Sequence, residues 1–224
     1  MLIANIQENT KENLIVKDKE FVLDTGNIKI PVLYLELRYI VEKIILVLVS
    51  PLWLPVFIAT YIALKFIYGG KCLFKQVRPG KNNTTFQIYK FKSMKDIDPE
   101  SETTLHEEER ITAFGRFIRK HRIDELPQFL NVLKGEMSLI GPRPDALNCH
   151  LEWRQQIPQY DLKYLIKPGI TGYGQAYYKH VSDIEEVFEK FKYDIYYLNN
   201  ISFKNDIKIV FKTIEVMFTG YGAR

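Results

Sequence analysis

Asp124 and Glu125 stand side by side in the stretch Arg119–Asp145, RKHRIDELPQFLNVLKGEMSLIGPRPD, directly after the cations Arg116, Arg119, Lys120, His121 and Arg122. Adjacent carboxylates beside fixed cations suit phosphoryl transfer. That reaction needs a nucleophile or base in line with phosphorus and neutralisation of charge on the phosphate oxygens. Arg143, held between Pro142 and Pro144, offers a rigid bidentate fork to a phosphate or a planar base. An Asp ahead of a helix ordinarily serves as a cap, and a Glu in the first turn ordinarily complements the helix dipole. Acid pair, cations and a stiff Arg-bearing loop in one short stretch point further, to a phosphorylated substrate.

The elements that position these groups can be read from pattern. Asp124 reads as the N-cap of a helix with Pro127 in its first turn, running through Phe129, Leu130 and Leu133 to a C-cap at Gly135. The apolar run Met137–Ile140 leads into the turn Gly141-Pro142-Arg143-Pro144. Upstream, Ile111, Phe114 and Ile118 share one face of a helix over 107–121. The acidic run Asp96–Glu109 before it reads as a solvated loop, since its spacing lacks the order of a calcium loop. Lys71–Arg78 and Thr84–Met94 form a β-hairpin across Pro79–Asn83. Beyond the site, Asp145–Tyr160 reads as a helix, and Leu165–Tyr178 as a tight glycine-rich loop. A helix capped at Ser182-Asp183 runs through Leu198, and Asn205–Phe218 is amphipathic, with Tyr and Lys residues suited to a membrane interface.

Ile44–Leu64 carries no charge. At about 1.5 Å per residue such a segment could cross a bilayer core of about 30 Å. Pro51 and Pro55 interrupt it, and basic residues flank it on both sides (Arg38 and Lys43; Lys65, Lys71 and Lys75). A crossing helix should show Lys/Arg asymmetry. The symmetry predicts a re-entrant helix–break–helix at Ser50-Pro51, with Ser50 bonding a freed carbonyl. The arm before it, 1–37, opens on a segment, Met1–Ile30, that is polar and mixed in charge; Phe21–Leu23 and Ile28–Ile30 read as short strands around Asp24-Thr25-Gly26. The reading divides the chain into this arm, the membrane element 38–68 and a catalytic domain 69–224. The fold class expected is α+β and mostly helical: a re-entrant membrane helix, a small β-hairpin and amphipathic interfacial helices around one catalytic domain.

The 224 residues are 46% hydrophobic and 26% charged, which is ordinary for a globular core and excludes disorder. A formal charge of +4 suits an anionic membrane face or a diphosphate and is too small to imply nucleic acid. Cys72 and Cys149 have no metal-type spacing and read as reduced thiols of a cytoplasmic compartment.

The central string closely resembles the signature of the bacterial sugar transferases, the monotopic polyprenyl-phosphate phosphoglycosyl transferases. A basic helix is followed by DELPQ (Asp124–Gln128), NVLKG-acid-MS (Asn131–Ser138) and GPRP (Gly141–Pro144). The resemblance covers about Ile40–Phe218 and includes Ser50-Pro51 at the helix break, Gln76-x-Arg78-x-Gly80, and Pro168–Gln175. It implies transfer of a sugar-1-phosphate from a UDP-sugar to polyprenyl (undecaprenyl) phosphate with release of UMP, as the first step of a lipid-linked glycan. Asp124 would be the nucleophile and the Mg²⁺ ligand, and Glu125 the base. Lys90, Arg119, Pro142, Arg143, Pro144 and Gln175 would lie at the substrates, with Lys92 near them. Membrane lipids are implied as partners, the cytoplasmic face of the bacterial inner membrane as the location, and a homodimer is left open.

Two departures stand out. Relatives commonly carry Lys-Arg and then Asp ahead of the membrane helix, where this chain has Arg38, Glu42 and Lys43; and many carry Asn-Gly-Arg-Asn where it has Ala176–His180. The sugar is therefore not readable. An interaction protein on an inactive transferase fold is the alternative, disfavoured by the intact Asp124, Glu125 and Arg143.

Overall fold

A computed structural model of the chain describes residues 28–95, 110–178 and 183–216 in full, and the backbone alone at 13–16, 19–22 and 217–219. The acidic stretch 96–109, the turn at 24–26 and His180 lie outside the described residues. Strands β1 (Asn13–Val16) and β2 (Lys19–Val22) pair antiparallel. The strand expected at Ile28–Ile30 does not form. Ile28 and Ile30 pack against the main core instead, so their alternation serves burial rather than a ladder.

Two long helices follow, α1 (Val32–Leu48) and α2 (Ser50–Tyr68), meeting at Val49 where the sequence placed the break. Pro51 has no N–H to continue the hydrogen-bond ladder. The carbonyl of Leu46, which an unbroken helix would bond to Ser50, accepts instead from the Trp53 indole N–H at 3.0 Å. The capping role expected of the Ser50 hydroxyl is thus met by Trp53, whose longer side chain reaches back over the break. The inner face of α1 carries Leu35, Arg38, Tyr39, Glu42 and Leu46, the spacing of one helical stripe. Its other face, with Leu33 and Leu48, is exposed, and so is most of α2. Among the described residues α2 is the one helix long and apolar enough to cross a membrane.

The remainder alternates short sheets with helices: the hairpin β3 (Leu73–Pro79) and β4 (Thr85–Phe91), α3 (Ala113–Lys120), α4 (Gln128–Lys134), β5 (Ser138–Ile140) and α5 (Leu147–Gln156). Then come β6 (Gly169–Thr171), α6 (Tyr173–Tyr177), α7 (Ile184–Asn199) and α8 (Phe203–Thr219). The hairpin runs in register from Leu73↔Phe91 to Pro79↔Thr85, and β5 pairs parallel with β6. Of the helix expected over 107–121, residues 107–109 lie outside the described residues, and the described part is interrupted at Ile111 and Thr112. Ile111 bridges to Met94, and Thr112 caps α3 by accepting from the Gly115 N–H at 2.9 Å. Ile111 thereby joins the hairpin's exit rather than the helix face. Asp183 caps α7 as expected, accepting from Glu186 N–H at 2.9 Å.

Three apolar clusters form the core, and each contains a residue of the two long helices: Leu35 and Tyr39 with Phe191, Ile195 and Ile209; Leu46 with Ile88, Val132 and Met137; Leu64 with Cys72, Phe91 and Ile118. At about 1.5–3 kcal/mol for each fully buried large side chain, α1 and α2 are integral to the fold. The departure at Arg38 is explained here. Arg38 is buried and ties α1 to α8 through Asp206 at 2.7 Å, to α7 through the Tyr197 hydroxyl at 2.6 Å, and to the Ile140 carbonyl at 2.9 Å. Glu42, one turn on, accepts from the Ser138 hydroxyl at 2.7 Å and the Leu139 N–H at 2.9 Å.

Candidate active site

Asp124 and Glu125 lie in a 3₁₀ turn, Ile123–Glu125, entered through Arg122 in the left-handed region at φ 56°. Asp124 is therefore not the cap of α4. Pro127 holds that position, because two residues of tight turn precede the α-helical spacing. The C-terminal expectation holds: Gly135 ends α4 in the left-handed conformation at φ 86°. Gly115 lets α3 press against the exit of β4, since a Cβ there would lie 2.0 Å from the Ser93 carbonyl oxygen.

Three cations from three elements converge on the pair. Lys90 of β4 places Nζ 3.3 Å from Glu125 Oε1. Arg143, from the loop after β5, places Nη2 2.5 Å from the same oxygen and Nη1 3.4 Å from Oε2. Arg119 of α3 lines the same cleft as Asp124, and its Nη1 is buried without a hydrogen-bond partner among the described residues. The Arg143 loop is itself fastened. Arg78 donates to the Pro144 carbonyl at 2.8 Å and to Gln76 at 2.6 Å, the structural role expected of the Gln76–Arg78 element. Asp145 accepts from Lys163 at 2.7 Å and from the hydroxyls of Tyr160 and Tyr164. The Pro142 carbonyl accepts from Gly169 N–H at 2.9 Å. Gln175 donates to the Ile170 carbonyl at 3.1 Å, the acceptor that Arg143 Nη1 also reaches at 3.3 Å. Lys92 lies over the Tyr68 ring.

The two carboxylates differ in proton affinity. Burial, then the neighbouring Glu125, pushes the Asp124 carboxyl up to about 6 against the opposing Lys90, Arg119 and Arg143. Burial also pushes Glu125 up, but Arg143 and Lys90 more than reverse it and hold that carboxyl well below the usual range. Burial lowers Lys90, with Glu125 opposing. At neutral pH both acids are ionised, Glu125 locked in ion pairs and Asp124 the less compensated.

They also open on different spaces. Asp124 lines a cleft of about 600 Å³ with Lys71, Lys75, Lys90, Arg110 and Arg119. Glu125 lines a groove of about 720 Å³ whose walls include Ile45, Leu52, Trp53, Phe129 and Val210. One cavity is cationic; the other is apolar and shared with α1, α2 and α8. Among the described residues no cluster of three or more His, Cys, Asp or Glu is disposed around a metal. A lone ionised Asp fits Mg²⁺, which commonly takes one or two carboxylates and completes its shell with phosphate oxygens and water.

Sequence reasoning named Lys90, Arg119, Asp124, Glu125, Arg143 and Gln175 as candidates, and the structure brings them to one region. It missed the cationic contribution of Lys71 and Lys75, read only as membrane flanks, and the Arg38–Asp206 tie. An Arg and a Glu one turn apart on an otherwise apolar helix (Arg38 and Glu42) was the available signal for the latter.

Residues 34–220 match the model of the bacterial sugar transferase family, and the chain belongs to that family. Among curated relatives, a UDP-N-acetylgalactosamine-undecaprenyl-phosphate N-acetylgalactosaminephosphotransferase from Aeromonas hydrophila is 42% identical over 80% of this chain and 43% of its own length. UDP-glucose:undecaprenyl-phosphate glucose-1-phosphate transferases are also similar. The one from Escherichia coli is 36% identical over 82% of this chain and 40% of its own length. The one from Caulobacter vibrioides is 33% identical over 81% and 70%. The chain thus spans about two fifths of the first two relatives.

Proposed function

We propose that this chain transfers a sugar-1-phosphate from a UDP-sugar to undecaprenyl phosphate, through a covalent intermediate on Asp124. The observation that carries the reading is the pair of adjacent carboxylates opening on two cavities, one cationic and one apolar. The relatives' names supply the substrate classes.

An oxygen of ionised Asp124 attacks the sugar-bearing phosphorus of the UDP-sugar. The bond from that phosphorus to the bridging oxygen breaks, and UMP leaves with the oxygen and the electron pair. The aspartyl phospho-sugar that remains is a mixed anhydride. A phosphate oxygen of undecaprenyl phosphate, entering from the apolar groove, then attacks the same phosphorus, and the carboxylate of Asp124 is released. Arg119 and Lys90 neutralise charge on the cleft side. Mg²⁺ held by Asp124 and the diphosphate would supply further charge neutralisation when bound.

Glu125 is the base that takes the acceptor's proton, and its ion pairs set the condition for that role. While Arg143 and Lys90 hold it, it is too weak a base. An incoming phosphate competes for the Arg143 fork, and releasing Glu125 raises its proton affinity at the moment the acceptor arrives. The helix–break–helix at Val49 lies re-entrant in the cytoplasmic leaflet of the bacterial inner membrane, with the rest of the chain on the cytoplasmic face. The two unpaired cysteines accord with that compartment.

The test is intact-protein mass spectrometry with UDP-sugars and Mg²⁺ in the absence of lipid acceptor. The expected result is a phospho-sugar adduct on the wild type and none on Asp124→Asn. Turnover by Asp124→Asn, with no adduct on either protein, would establish a direct displacement instead.

A further inference from the structure

A second cationic cluster, lining neither cavity of the carboxylate pair, is built from Lys43, Lys81 and Lys167. A Cβ placed on Gly135 would lie 3.2 Å from Lys43 Nζ and 3.7 Å from Lys167 Nζ, so the two ammonium groups meet over the glycine that ends α4. Lys167 also lies over the Tyr39 ring, 4.3 Å from its centroid. Lys81 joins from the tip of the hairpin through Glu36, at 3.6 Å. Among the described residues Glu36 is the one carboxylate paired within this cluster. Glu42, on the same helix, spends its oxygens on Ser138, Leu139 and Arg38. Burial lowers the proton affinity of Lys167; Glu36 and, more weakly, Glu42 oppose this, and Lys43 and Lys81 add to it. Three ammonium groups, with Glu36 paired to one of them and Glu42 bonded elsewhere, form a site short of an anion.

The surroundings indicate which anion. Lys43 stands on α1 beside Ile40, Ile44 and Val47, which are 58%, 52% and 59% exposed. A ligand that satisfies both features has a phosphate for the lysines and hydrocarbon for the helix face beside them. We infer that Lys43, Lys81 and Lys167 bind the headgroup phosphate of an anionic phospholipid, at a site separate from the one that receives undecaprenyl phosphate. The inference rests on the membrane placement given under Proposed function. An anionic lipid bridging α1, the hairpin tip and the strand entrance at Lys167 would set the depth at which Glu125 meets the acceptor.

Thermal unfolding of the full chain in neutral detergent tests it, with added short-chain phosphatidylglycerol, phosphatidylcholine of the same chains, or inorganic phosphate. Phosphatidylglycerol should raise the Tm more than phosphatidylcholine, and phosphate alone should not. In Lys43→Gln/Lys167→Gln the two lipids should become equivalent, with apparent affinity for phosphatidylglycerol falling roughly tenfold to thirtyfold. Lys43→Arg/Lys167→Arg should keep the preference. The phosphatidylcholine response reports that the Gln variant is folded, and Lys167→Gln alone serves if it is not. Equal responses of the wild type to both lipids, or an undiminished preference in the Gln variant, overturn the inference while membrane placement stands. An equal shift with phosphate alone reduces the site to a general anion site and overturns the lipid assignment. A wild type that stays monodisperse without detergent and responds to no lipid sinks the placement and the inference together.

Discussion

Arg143 reaches back across the site to Glu125, its Nη2 2.5 Å from Oε1, so the fork proposed to bind substrate phosphate is occupied by the neighbouring acid. While that contact lasts, Asp124 stands beside an ionised Glu125. Ion pairing of one carboxylate thus sets the reactivity of the other.

The first half-reaction should depend on pH through Asp124. Its carboxyl titrates at about 6, and only the ionised form is a nucleophile. UMP release measured in rapid-quench experiments without acceptor should be flat above that pH and fall about tenfold per unit below it. A rate indifferent to pH through this window would remove Asp124 from the role.

Stability should show the opposite sign. Asp124 is raised from an ordinary 3.8 to about 6 on folding. Below the lower value both states are protonated and the group contributes nothing. As pH rises between the two values the unfolded chain ionises first, and folding loses free energy until the folded carboxyl also ionises. Asp124→Asn should therefore be more stable than wild type above pH 6. The gain should be on the order of 1–2 kcal/mol, allowing for residual hydration, and absent below about pH 3.8. Thermal melts across pH in detergent read this directly.

Arg143→Lys keeps the charge and removes the two-pronged geometry. The expected loss is about a hundredfold in kcat/KM. Near-normal activity would show that a point charge suffices. The melting temperature should change little, because Asp145, Arg78 and Gly169 hold the loop independently of the guanidinium.

Trp53→Phe tests the helix break. The ring contact with Phe129, at 5.4 Å between centroids, can be kept while the donor to the Leu46 carbonyl is lost. The expected destabilisation is about 1 kcal/mol, read by thermal unfolding, with the first half-reaction largely unaffected. An unchanged stability would mean that water or lipid satisfies the carbonyl.

Arg38→Met would leave Asp206 buried with the Tyr34 and Tyr197 hydroxyls as its side-chain donors among the described residues. A loss of about 3–5 kcal/mol is expected. The paired change Arg38→Met/Asp206→Leu should recover much of it, as a double-mutant cycle of melting temperatures would show.

The sequence by itself determined the identity of the chemical groups and the local elements that carry them. Glycine and proline restrict the backbone wherever they occur, which is why the Gly135 cap, the hairpin and the break beside Pro51 were legible. The Asp-Glu pair and the proline-bound Arg143 were equally legible, because their types and order suffice to name a chemistry. Other features had no local signature. Ile28–Ile30 alternates as a strand would and packs on the core instead, and Ile111 leaves its helical face to bridge Met94. Only the tertiary structure decided that Arg143 and Lys90 converge on Glu125 rather than Asp124, and that the two acids face separate cavities. Charge interactions fall with distance and strengthen with burial. Both are set by how β4, α3, α4 and the β5–α5 loop pack together, which no spacing along the chain encodes.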